Sequence, residues 1–250
     1  YRPIADKKIA NVGLYQHQFV MIDDKAVLSN AWAGKLFTKH SLSDAYLLAG
    51  GKDFSFLISN GSQLEYLPKE GTPWKESISS GKVLDLKYDA GSDIFYALSE
   101  NAVYSVSGKD KMLQKVYAAN DLTCFELFSG KIVVGTKNGY LELDKTGKVV
   151  TPLQQKLPWT ELTGISVIDN QLWFGSTSGA FMRKPDGKFN YYASERWIPS
   201  DKVVHIAKGD ENSVLILTDK GVGKIVFTKM TLQEKAEFYD KQVRTRHIRN

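Results

Sequence analysis

A segment of about eight residues recurs six times along this chain, and this repeat constrains the fold more than any other feature of the sequence. In its clearest form, an apolar strand runs into a polar turn that ends at a glycine. The copies begin at residues 19, 54, 94, 132, 172 and 214, so neighbouring copies lie 35 to 42 residues apart. A period of roughly 20 to 50 residues indicates an array of repeated supersecondary units.

Each unit contains four extended segments, which the fifth copy shows best at 164–168, 172–176, 180–183 and 189–192. Apolar residues alternate or run continuously in these segments, and they lack the three-to-four spacing of a helix. Four short antiparallel strands in about 40 residues are typical of one blade of a β-propeller. The sequence therefore predicts an all-β protein, a β-propeller of six four-stranded blades. Because the first copy is faint, five or seven blades remain alternatives.

The C-terminal segment 230–250 departs from the repeat, because it lacks glycine and proline and carries apolar residues at helical spacing. The residues that share one helical face are Leu232, Ala236, Tyr239 and Val243. Thr231 with Glu234 forms a possible capping box, so a short α-helix is expected from about residue 231. We therefore divide the chain into a propeller at 1–229 and a helix at 230–250. The helix either leads toward a following domain or packs on the propeller.

Ring closure is expected to involve the N-terminus. The last repeat leaves no room for a fourth strand before the helix, so the segment near Ile4 is predicted to supply it. Closure of this kind hides a sheet edge that would otherwise invite aggregation.

Composition excludes several functional classes. Lys and Arg number 33 against 28 Asp and Glu, and a net charge of +5 is too mild to indicate nucleic acid. No apolar run reaches the roughly 18 residues that span a bilayer. One cysteine, Cys124, cannot form an internal disulfide or a Cys-rich metal site. The four histidines are isolated from one another, so neither a metal nor another cofactor is predicted.

Two repeats resemble a known family. The run Leu-Trp-Phe-Gly-Ser-Thr-Ser-Gly at 172–179 is similar to the two-component-regulator propeller repeat. Segment 197–207, followed by 214–225, is similar to the same repeat. The resemblance implies a bacterial ligand-binding sensor outside the cytoplasm, which is periplasmic, secreted or at the cell surface. It names no ligand, so a glycan, another small molecule or a protein partner all remain open.

Ligand-binding residues are expected where loops converge around the central channel of a propeller. Three tryptophans are predicted in connections between blades, where an indole can stack on a sugar. Turn residues on the same face could add polar contacts, and His205 falls on an inner strand. The full candidate set is Trp74, Trp159, Trp197, Lys137, Asn138, Ser176, Ser178, Asp219, Lys220 and His205. For each tryptophan, packing between blades is the alternative.

The sequence shows no assembled catalytic set. The run 175–179 differs from a nucleophile elbow because Thr177 takes the central position, and no strand-to-helix context follows. A non-enzymatic extracytoplasmic ligand-binding or sensor propeller is therefore the leading hypothesis. The alternative is the N-terminal scaffold of a larger carbohydrate-active or other enzyme whose catalytic domain follows residue 250. A third hypothesis gives the propeller its own lyase or hydrolase activity from scattered carboxylates and His205.

Overall fold

Six antiparallel sheets follow one another along the chain. The structure, a computed structural model, describes residues 8–15, 18–29, 36–227 and 231–247. The strands of the first three sheets are β1 (Asn11–Tyr15), β2 (Gln18–Ile22), β3 (Ala26–Ser29), β4 (Leu36–Lys39), β5 (Leu47–Gly50), β6 (Phe56–Ser59), β7 (Gln63–Leu67), β8 (Trp74–Ser77), β9 (Val83–Asp89), β10 (Ile94–Ser99), β11 (Ala102–Ser107) and β12 (Met112–Ala118). Those of the last three are β13 (Leu122–Phe128), β14 (Lys131–Thr136), β15 (Gly139–Leu143), β16 (Val149–Gln154), β17 (Leu162–Ile168), β18 (Gln171–Ser176), β19 (Gly179–Arg183), β20 (Phe189–Tyr192), β21 (Val203–Lys208), β22 (Ser213–Thr218) and β23 (Gly221–Val226).

The strands of each sheet pair in sequence order, as in the blades of a propeller. Five sheets have four strands, and the sixth, of β21, β22 and β23, has three within the described residues. The first strands of successive sheets contact one another, so they line the central axis. The six repeated segments of the sequence correspond to the second strands, β2, β6, β10, β14, β18 and β22. The all-β propeller prediction is confirmed.

We number the six sheets as blades 1 to 6 in chain order, and apolar clusters hold neighbouring blades together. Phe56 and Ile22 lie in the cluster between blades 1 and 2, and Phe174 lies in the one between blades 4 and 5. Similar clusters join blades 2 and 3, 3 and 4, and 5 and 6. In blades 2 to 5 both faces of the sheet pack on a neighbouring blade, and the alternation of side chains along a strand decides which neighbour a given side chain contacts.

A buried carboxylate adds a polar link between blades 4 and 5. Glu142 on β15 accepts hydrogen bonds from the Lys131 ammonium at 2.7 Å and the Thr151 hydroxyl at 2.8 Å. The Arg183 guanidinium of blade 5 lies 3.6 Å from the other carboxylate oxygen. Burial alone would raise the pKa of Glu142, but the bonds from Lys131 and Thr151 and the two cationic charges outweigh it and hold this pKa below its ordinary value of 4.5.

We expect Glu142→Gln to lower the free energy of unfolding by about 1–2 kcal/mol at pH 7, since hydrogen bonds to a charged group are lost. A lowered pKa stabilises the fold above the unfolded-state value and loses that effect as pH falls through the folded-state value. The difference between Glu142→Gln and the parent chain should therefore shrink below about pH 4.5. Urea unfolding at several pH values measures it. A difference that is the same at pH 3.5 and pH 7 would contradict the assignment.

Blades 6 and 1 each have exposed apolar side chains on the face turned away from blade 5 and blade 2, respectively. Ile225 packs on blade 5, so Val222 and Val226, at even positions of β23, face the other way and are 58% and 60% exposed. Phe19 on β2 likewise faces away from blade 2 and is 60% exposed. The predicted closure strand near Ile4 lies outside the described residues.

The predicted helix is present as α1 (Leu232–His247). Its capping box forms as expected: the Thr231 amide donates to the Glu234 carboxylate at 2.7 Å, and the Glu234 amide donates to the Thr231 hydroxyl at 3.2 Å. Every side chain from 231 to 241 is exposed, so packing on the propeller is not observed there. The side chain of Val243, which was predicted on the same helical face as Leu232, lies outside the described part of the structure. Within the described part of the chain, no helix has the length and apolar character needed to cross a membrane.

Candidate ligand-binding site

The turns between the second and third strands of blades 4, 5 and 6 share one construction. The second strand ends in a serine or threonine whose hydroxyl group donates a hydrogen bond to the carbonyl oxygen of a glycine three residues later. The three pairs are Thr136 with Gly139 at 3.0 Å, Ser176 with Gly179 at 2.7 Å, and Thr218 with Gly221 at 2.9 Å. Each glycine has a positive φ, of 127° to 144°, a backbone conformation that residues other than glycine rarely adopt. The hydroxyl–glycine lock, as we call this pair, fixes each turn.

The middle residues of the locked turns lie at the turn tips, on one face of the propeller. The amides of Asn138, Ser178 and Lys220 donate back to the buried hydroxyls, at 3.0 to 3.3 Å, which fixes the backbone further. The Lys137 ammonium is paired with Asp121 at 3.1 Å across to the loop that enters blade 4. Lys137, Asn138, Ser178, Asp219 and Lys220 therefore lie at the turn tips, as the sequence predicted.

Ser176 must be removed from the candidate set. Its side chain has no exposed surface, and its hydroxyl is bonded within the lock. The prediction was wrong because the residue type suits both a ligand contact and a turn lock, and only burial separates the two roles.

The three tryptophans do not share one position in the blades. Trp74 is not in a connection between blades: it begins β8, pairs with Tyr66 near the end of β7, and its ring packs 6.1 Å from that of Tyr66. Trp74 therefore lies toward the end of blade 2 opposite to the turn tips, which corrects the prediction. Trp159 does lie in a connection, but it packs on Tyr191 and Phe181 of blade 5.

Trp197 keeps the features expected of a contact residue. It lies in the connection from blade 5 to blade 6 and is 47% exposed. The ring of Tyr192 meets it edge to face at 5.9 Å, and the Arg196 guanidinium lies 4.8 Å from its centroid. One side of the indole is thus supported while nearly half of the side chain reaches water.

His205 lies on β21, the first strand of blade 6, and its side chain is exposed. Its neighbour Val204 is also exposed, at 52%. Since the first strands line the axis, these two residues belong to the blade 6 part of the channel region.

A charged cluster on the opposite inner strands was missed by the sequence analysis. The Lys87 ammonium of β9 lies 3.1 Å from Glu126 of β13 and 3.5 Å from Asp85 of β9. We call these three residues the channel triad. Their side chains are 20% to 39% exposed, so they are partly withdrawn from water. The only signal in the sequence was a charge at alternate positions of a strand that otherwise reads as apolar.

Asp85 and Lys87 of the triad have shifted pKa values. Burial raises the pKa of Asp85 above its ordinary value, and the nearby Lys87 only partly opposes this. Burial would lower the pKa of Lys87, but the two carboxylates outweigh it and raise that pKa instead. The raised pKa of Lys87 keeps its ammonium charged at neutral pH. Perturbed groups in a partly dry recess are typical of binding sites, although structural ion pairs also show them.

Six consecutive antiparallel sheets, whose first strands contact one another around an axis, define the chain as a β-propeller. No protein-family model matches the chain, and no curated protein matches it. Among solved structures it is similar to a streptogramin B lyase, with a TM-score of 0.68, 13% identity, and coverage of 89% of this chain and 80% of that chain. It is also similar to a catalytically inactive virginiamycin B lyase from Staphylococcus aureus with quinupristin, with a TM-score of 0.69, 10% identity, and coverage of 91% and 83%.

Extracellular domains of two component systems are a second group of similar structures. The extracellular domain of the hybrid two component system BT4673 from B. thetaiotaomicron matches with a TM-score of 0.68 and 9% identity over 92% of this chain and 34% of that one. The chain thus spans about a third of that extracellular domain. The resemblance to two-component-regulator propellers is confirmed at the level of the fold, which is what identities of 9% to 13% can carry.

Proposed function

We propose that this chain is a non-enzymatic, extracytoplasmic ligand-binding propeller of the sensor type, which takes a glycan or another small polar ligand. The channel triad supports this most directly, since it places partly exposed charges on the inner strands of a rigid ring. The likeness in fold to extracellular domains of two component systems supports the placement outside the cytoplasm.

The ligand would approach from the face of the turn tips. There, Lys137, Asn138, Ser178, Asp219 and Lys220 offer donors and acceptors on backbones that the locks hold still. Trp197 adds a flat apolar surface for the ring of a sugar. His205 would contact the part of a ligand that enters the channel region.

The alternative proposal is a scaffold domain of a larger enzyme. The exposed helix α1 favours it, because a segment with all of residues 231–241 in water suits a connection between domains. On this view the propeller is residues 1–229 and the connecting helix begins at 230. A protein or glycan held by the propeller would then be positioned for chemistry elsewhere.

The test compares two tryptophans against one panel of neutral and acidic oligosaccharides. The panel is screened by thermal shift, and affinities are then measured by calorimetry. Trp197→Ala should leave the melting temperature nearly unchanged and weaken binding about five- to tenfold, because a stacking surface is lost. Trp159→Ala is the matched control, and it should lower stability by about 3 kcal/mol because its ring packs on Phe181 and Tyr191 of blade 5.

If no oligosaccharide raises the melting temperature, the glycan part of the proposal fails. Turnover of any panel member by the purified chain would overturn the non-enzymatic assignment. Binding that Trp197→Ala does not change would remove the face of the turn tips from the proposal.

A further inference from the structure

A cleft of about 350 Å³ lies between blades 2 and 3, away from the turn tips. It is bordered by Asp93, in the turn from β9 to β10, and by Gly108 and Lys109, in the turn from β11 to β12. In an antiparallel blade these connections leave the sheet at the end opposite to the turn between the second and third strands. The cleft therefore opens on the other face of the propeller.

One wall of the cleft is aromatic. Tyr66 and Phe95 line it, with ring centroids 6.0 Å apart in an edge-to-face arrangement, and Pro68 continues this wall. Tyr66 lies directly on the backbone of Gly108, where an added Cβ would come within 2.2 Å of the ring. Glycine at position 108 is what allows the tyrosine to lie there, so the wall is built into the packing of the two blades.

The polar wall of the cleft is the ion pair of Asp93 and Lys109. Asp93 accepts a hydrogen bond from the Tyr88 hydroxyl at 2.7 Å, and its second oxygen lies 2.8 Å from the Lys109 ammonium. The bond from Lys109, with that from Tyr88, lowers the pKa of Asp93. Burial and the bond to Asp93 raise the pKa of Tyr88 to about 12, so its hydroxyl stays a donor. Lys109 is 77% exposed and free to contact a ligand with its remaining donors.

The charge balance of the cleft decides what it can hold. Lys52, Lys69 and Lys109 face Asp53, Glu70 and Asp93, so three cationic side chains match three carboxylates. Because the charges of Asp93 and Lys109 already offset each other, the pair exerts little net attraction on a charged ligand. A neutral hydroxyl can donate to Asp93 and accept from Lys109 at the same time while the pair stays intact.

We propose that this cleft is a second binding site, for one unit of a neutral saccharide. Phe95 is only 2% exposed, so the partly exposed Tyr66 ring, with Pro68, takes the apolar face of a pyranose ring. The ion pair of Asp93 and Lys109 takes its hydroxyls. The volume is within the range of pockets for small ligands, at the lower end of roughly 300–1,000 Å³. The site goes beyond the proposed function, because it shares no residue with the turn tips or the channel triad.

The experiment titrates D-glucose, D-galactose, D-mannose and N-acetyl-D-glucosamine separately into the ¹⁵N-labelled chain and follows the amide resonances by NMR. At least one sugar should shift the amides of Gly108 and Lys109 in a saturable way. Lys109→Met and Asp93→Asn should each weaken that binding about tenfold, since a hydrogen bond to a charged group is lost. Lys188→Met, which removes an exposed lysine 3.8 Å from Asp186 on blade 5, is the matched control and should bind normally.

Sugar shifts confined to the amides of the turn tips, at 137–138, 177–178 and 219–220, would support the proposed function and overturn the cleft site. Shifts at Gly108 that survive both Lys109→Met and Asp93→Asn would overturn the cleft site as well. Shifts at Gly108 that these variants remove, with no binder at the turn tips, would uphold the cleft while the proposed function fails. Melting temperatures of all variants establish that the fold is intact.

Discussion

Gly139→Ala is expected to lower the free energy of unfolding by at least about 3 kcal/mol, which is roughly 6–12 °C in melting temperature for a chain of this size. Two effects add. The φ of Gly139 is +127°, and an alanine Cβ would lie 2.0 Å from the backbone oxygen of Gln154. The turn cannot relax freely, because the Thr136 hydroxyl is bonded to the carbonyl of the same glycine. Thermal and urea unfolding followed by circular dichroism measure the loss.

Gly164→Ala is the matched control for this substitution. Gly164 lies on β17 without a positive φ, and nothing lies within 4 Å of an added Cβ. It should therefore change stability by less than about 0.5 kcal/mol. Equal effects at the two glycines would show that the lock of blade 4 contributes nothing particular to the fold.

Deletion of residues 1–8 is expected to destabilise the propeller by about 2–5 kcal/mol, because a closure strand would supply several ladder hydrogen bonds worth about 0.5–1.5 kcal/mol each. The reason lies at the edge of blade 6, where β23 is the outermost strand described and Val222 and Val226 are exposed. An added strand would pair with β23 and cover part of this apolar surface. The melting temperature and the binding of a hydrophobic dye measure the change.

Truncation after Phe227 is the control, since it removes α1, whose side chains are exposed from 231 to 241. It should leave the melting temperature nearly unchanged. A deletion of residues 1–8 that has no more effect than this truncation would mean that the ring closes in another way. A large loss from the truncation would instead contradict the division of the chain at 229 and 230.

The repeat was predictable because its signals are local. A strand of alternating apolar residues followed by a hydroxyl residue and a glycine needs no distant partner to be recognised, and 172–179 becomes β18 and its locked turn. The helix was predictable for the same reason, since Thr231 and Glu234 meet within one turn. Fold class and blade order follow from such elements once the period is seen.

The sites were less predictable because they depend on which blade lies beside which. Lys87 meets Glu126 only after 39 residues of chain have folded into the next blade. The cleft depends on Tyr66 of blade 2 resting on Gly108 of blade 3. Trp74 was misplaced because the sequence shows a Pro-Trp pair but not that the outer strand begins at the tryptophan. Contacts between blades are set by register and ring geometry, which a single sequence pattern does not contain.

The locked turns have a consequence for kinetics. A loop that is already fixed by buried hydroxyls loses little conformational freedom when a ligand arrives, so the ordering cost of association is small. Encounter then requires no slow closing step, and differences between ligands should appear mainly as differences in residence time. Because the locked turns are rigid, they cannot signal that a ligand is bound by changing their own conformation. Any signal sent onward from this face would have to travel as small rotations of whole blades against their neighbours.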